Sequence, residues 1–124
     1  MKRKSLLTIL LIPIIFIDSG CSENKELRQD TSVIADAMCR SIEVMNKLKG
    51  ANPEDTVRIN DLQLKYQSLQ VEMETIYSKF RKTYESRMKD PEFNKEFSSE
   101  LRKAILNCPY LSKEDRIRYE KEIE

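Results

Sequence analysis

The sequence predicts an all-α fold: an up-down-up helical bundle around one long central helix, with a short C-terminal helix. Three observations predict it. Apolar residues recur in steps of three and four over three long stretches, which gathers them on one helix face. Helix-stop and helix-start residues separate the stretches, at Gly50-Ala51-Asn52-Pro53 and at Asp90-Pro91. No segment carries the strict apolar–polar alternation of a half-buried strand.

The elements follow in chain order. Met1-Lys2-Arg3-Lys4 precede an apolar run from Leu6 to Ile17, broken by Thr8 and Pro13, and the small residues Ser19 and Gly20 precede Cys21. A basic start, a short apolar core and a small-residue cleavage site make residues 1–20 an export signal. At about 12 residues, the core is too short for a bilayer span, which needs roughly 20. Residues 21–30 are mostly polar and read as a tether, so the domain is expected over 31–124.

The first helix of the bundle is expected from Thr31 to Lys49. Ile34, Met38, Ile42, Met45 and Leu48 form its stripe, with Ala35 and Ala37 beside them, and Gly50 stands at the C-cap. Asn52-Pro53-Glu54-Asp55 then reads as a start: a capping Asn, Pro at the first helical position, and acids in the positive first turn. Neither Gly nor Pro interrupts the chain from there to Pro91. Ile59, Leu62, Tyr66, Leu69, Met73, Ile76 and Phe80 keep a seven-residue rhythm. Tyr84 and Met88 continue in steps of four, which rotates the stripe. Asp90-Pro91-Glu92 opens the third helix, with Phe93, Phe97, Leu101, Ala104, Ile105 and Cys108 inward, and Pro109 ends it. Ser112-Lys113-Glu114-Asp115 resembles a capping box and opens the short last helix, with Ile117, Tyr119 and Ile123 expected inward.

Composition narrows the function. Lys+Arg number 22 and Asp+Glu 21 over the chain. Without Lys2, Arg3, Lys4 and Asp18, residues 21–124 carry 19 and 20, so there is no cationic footprint for nucleic acid. The chain has no His and no Trp, and Gly50 is the one glycine after Gly20. That excludes a His general base, a Ser-His or Cys-His nucleophile pair, an imidazole metal ligand and a glycine-rich phosphate loop. No catalytic residue, metal or cofactor is expected; carboxylate-only chemistry is the one enzymatic route left.

The residues around Cys21 resemble the lipobox of bacterial lipoproteins. Ser19, Gly20 and Cys21 match the pattern; Asp18 departs from it, in the manner of the looser lipoboxes of spirochaetes. The layout also resembles that of small two-Cys helical lipoproteins, and it implies no binding residues. The resemblance implies a diacylglycerol thioether on Cys21, and a lipid-anchored protein of the cell envelope. Ser22, in place of a retaining Asp, points to the outer membrane. Two or more acyl chains hold a protein firmly where one does not.

With Cys21 assigned to lipid, Cys39 and Cys108 remain in an oxidising compartment. They are expected as one disulfide, the alternative being two buried thiols. Straight helices argue against the bridge. With a second helix of about 37 residues, the two cysteines lie about 13 Å apart along the axis. A disulfide needs Cα atoms within roughly 7 Å, so a bend or a sliding third helix is required.

The expected role is a non-enzymatic protein-interaction or structural module with an unknown protein partner. A small periplasmic inhibitor or regulator is the alternative, and the oligomeric state is open. The heptad seam serves first as the intramolecular core. Phe80, Arg81, Lys82, Tyr84 and Arg87 mix aromatics with cations, and form the candidate interaction patch.

Overall fold

The computed structural model describes the backbone of residues 4–123 and the side chains of residues 25–123. The expected signal segment 1–20 and the expected lipid site, Cys21, lie outside the residues whose side chains are described. Four helices are present: α1 (Lys4–Gly50), α2 (Thr56–Tyr84), α3 (Pro91–Ile105) and α4 (Lys113–Ile123). No strand occurs among the described residues. The fold is an all-α helical bundle.

Direction is fixed by five cross-links. Tyr84 reaches Asp30, and Arg40 reaches Glu72, so α2 runs antiparallel to α1. Arg28 pairs with Glu100, Cys39 bonds to Cys108, and Asn46 donates to the Tyr110 carbonyl, so α3 runs parallel to α1. The up-down-up order holds, but the hub is α1 and not the second helix. Both α2 and α3 pack against α1, and α4 packs on α3. The reason lies in small residues. Thr31, Ala35, Ala37 and Ser41 are all buried on α1, and their short side chains let neighbours approach on two sides. The two hydroxyls bond back to the carbonyls of Leu27 and Ala37, so their burial leaves no orphaned donor.

The stretch expected to be a tether is helical. Leu27 is 1% exposed, and joins Ile34, Phe80, Tyr84, Phe93 and Phe97 in one apolar cluster. From at least Leu27 onward, the segment therefore belongs to the bundle. A lone Leu among polar residues carries no periodicity of its own, but it sits seven residues before Ile34 and so extends that stripe.

The second helix is shorter than the sequence suggests, at 29 residues. Asn52 accepts from the Glu54 N–H in a local turn, and Asp55 takes the capping role by accepting from Arg58. At the other end, the helix stops at Tyr84 without Gly or Pro. The N–H groups of Arg87 and Met88 both bond to the Tyr84 carbonyl, folding the chain into a turn. Met88 packs against the apolar cluster from that turn, and Asn94 holds it by donating to the Met88 carbonyl at 2.9 Å. Tertiary burial here overrides local helix propensity. Asp90 then caps α3, with Pro91 in its first turn, as expected.

This shorter α2 permits the disulfide. At about 1.5 Å per residue, α2 is about 43 Å long. Returning from Pro91, the chain brings Cys108 to about 17 Å from the Gly50 end, where Cys39 stands at about 16 Å. Their Cα atoms are 5.6 Å apart and the sulfurs are bonded. No bend is needed.

On α4, Ile117 is exposed, contrary to expectation, while Tyr119 and Ile123 are half-buried. The inward group is Arg116. Its guanidinium donates to the carbonyls of Leu106 at 2.6 Å and Cys108 at 3.0 Å, closing the open C-terminal end of α3. Arg102 pairs with Glu122 at 3.0 Å and holds the far end of α4.

Candidate functional site

The residues of the expected interaction patch divide into two sets. Phe80 and Tyr84 are core, 4% and 5% exposed, because both continue the heptad seam of α2 toward α1. The Phe80 ring lies 4.6 Å from Tyr84 and 4.7 Å from Phe97, and Tyr84 lies 5.5 Å from Phe93, centre to centre. They offer a partner no aromatic surface, which corrects the expectation. The cations stay outside. Arg81 lies over the Tyr77 ring at 5.0 Å, Arg87 over Phe93 at 4.5 Å, and Lys82 is exposed. The patch is thus a cationic shell over an aromatic core. Its place in the molecule follows from the antiparallel pairing: it lies at the Asp30 end of α1, the end nearest Cys21 in sequence.

Asp30 was not distinguishable in the sequence from its polar neighbours. It accepts the Tyr84 hydroxyl at 2.7 Å. Burial, and then this bond to a carboxylate, raise the Tyr84 pKa well above its ordinary value. The pair fixes α1 at Asp30 against the end of α2.

The Cys39–Cys108 bridge lies at the opposite side of the cluster. Cys108 is 3% exposed. Arg116 and Asn46 bind the backbone on either side of it, at Leu106, Cys108 and Tyr110. Beyond it α3 has ended while α1 and α2 continue, which opens a groove of about 620 Å³. Met38, Ile42, Met45, Tyr66, Met73 and Tyr110 supply its apolar walls. Tyr66 and Met73 belong to the heptad seam, and are left half-covered because α3 does not reach them.

The chemistry available is limited. Among the described residues, no three Asp, Glu or Cys side chains gather as a metal site. Glu72 is held below the usual carboxylate range by its hydrogen bonds from Arg40, and Glu43 by that from Lys47. Both shifts favour the ionised, paired carboxylate over a proton-donating acid. No family model, curated protein or solved structure matches the chain.

Proposed function

We propose that the protein is a lipid-anchored envelope lipoprotein, with Cys21 carrying the lipid, that acts as a non-enzymatic interaction or structural module. The observation that carries this reading is the Cys39–Cys108 bond. It accounts for two of the three cysteines as a disulfide pair, which suits an exported protein, and leaves the third directly behind the signal's small residues. Ser22 after the lipid site favours the outer membrane. No cofactor or nucleic acid enters this reading; the partner is another protein.

A second reading, a small inhibitor or regulator of an envelope enzyme, draws support from apolar surface away from the core. Met45 and Tyr110 are exposed at the groove, and Val57, Leu64 and Val71 follow a seven-residue spacing on the outer face of α2.

Intact mass of the protein purified from membranes tests the anchor. The expected product starts at Cys21, carries acyl mass, and gains two hydrogens on reduction. A soluble product retaining residues before Cys21 overturns the reading.

A further inference from the structure

We infer that the turn joining α2 and α3, with the end of α2 above it, is a second membrane contact: a cationic surface for anionic phospholipid headgroups. The inference rests on Cys21 as the anchor, and gives that anchor an orientation.

Position is the first argument. Asp30 is level with Tyr84, so the α2–α3 turn lies beside the first residues of α1 whose side chains are described. Lys25 is four residues from Cys21, a span of at most about 14 Å for an extended chain. A lipid on Cys21 therefore brings this end of the bundle, and no other, to the headgroup layer. The Gly50 end lies about 40 Å away along α2.

Charge is the second. From Lys79 to Asp90 the chain holds Lys79, Arg81, Lys82, Arg87 and Lys89 against Glu85 and Asp90. At the other end of α2, Glu54 to Glu74 holds five acids against Arg58 and Lys65. α2 with its following turn is thus polarised along its length, positive toward the Asp30 end. Among the described residues none of the five cations forms an ion pair, whereas Arg28, Arg40, Lys47, Arg102, Lys103 and Arg118 all do. Arg81 and Arg87 are instead laid on aromatic rings.

Shape is the third. At 100° per residue, Lys79, Arg81 and Lys82 fan around the end of α2, and Arg87 and Lys89 lie in the turn beneath. Such a ring suits a plane below it better than a groove or a helix beside it. Each cation at an anionic leaflet strengthens binding by about fivefold.

Lysine footprinting tests this. The full chain, processed in its own membrane, is placed on phosphatidylcholine vesicles with and without about 30% phosphatidylglycerol, and amines are acylated and read by peptide mass. Lys82 and Lys89 are expected to label about threefold or more slowly on the anionic vesicles, with Lys65 and Lys113 unchanged, and the difference is expected to vanish in about 0.5 M salt. Equal labelling of Lys82 and Lys89 on both vesicles overturns the inference. Flotation with the neutral vesicles reads the lipid anchor separately. Failure there, with salt-sensitive protection on the anionic ones, overturns the anchor and supports the cationic contact.

Discussion

Tyr84 shows how one residue can lock two segments. Its ring fills the cluster between Phe80 and Phe93, and its hydroxyl binds Asp30, 54 residues earlier. Because the folded pKa is raised, the neutral phenol is favoured in the folded state. The resulting stability is complete below the unfolded pKa of about 10 and is lost as pH rises above it. Thermal melts at pH 8 and pH 11 check this: the wild type is expected to lose more between them than Tyr84→Phe. At pH 7 that variant is expected to be less stable by about 1–2 kcal/mol, since Asp30 loses a hydrogen bond from a buried donor. The same residue shows what a sequence discloses. The seven-residue spacing placed Phe80 on the seam and was the better guide; the basic neighbours suggested a surface patch and misdirected the reading of Phe80 and Tyr84. Asp30 had no local signal, since its partner is distant in the chain.

At the scale of elements, α1 matters most. Its buried face continues without a break through a segment whose composition suggested a tether. Leu27→Ala is expected to destabilise the bundle by about 3 kcal/mol, the usual cost of emptying a core leucine site. Denaturant unfolding of wild type and variant checks this, and a change under about 0.5 kcal/mol would return Leu27 to a tether. The caps of α3 were legible because Asp-Pro is a local signal. The end of α2 was not, because it is set by Met88 turning into the cluster and by Asn94 holding that turn. On α4, an apolar side chain was expected inward, and Arg116 goes in its place. The carbonyls of Leu106 and Cys108 need donors more than the short helix needs a buried Ile117.

For the whole molecule, the fold class, the helix order and the cysteine pair were readable from periodicity, punctuation and count. The hub was not, because small residues such as Ala35, Ala37 and Ser41 give a weak apolar signal while permitting the closest packing. The disulfide spans a separation of 69 residues. Removing it is expected to cost about 4 kcal/mol in the chain-entropy account, and to lower the melting temperature by about 10 °C or more. Melting of Cys39→Ser with Cys108→Ser, against the oxidised protein, checks that figure.

The same bond sets a path for force. A pull between the Asp30 end of α1 and the C-terminal helix passes along α1 to Cys39, crosses to Cys108 and continues through the Arg116 clasp into α4. Everything between the two cysteines, including all of α2 and α3, lies off that line. Tension on the far end of the protein is borne by a covalent strut, and the helices carrying the seam and the cationic turn are mechanically shielded.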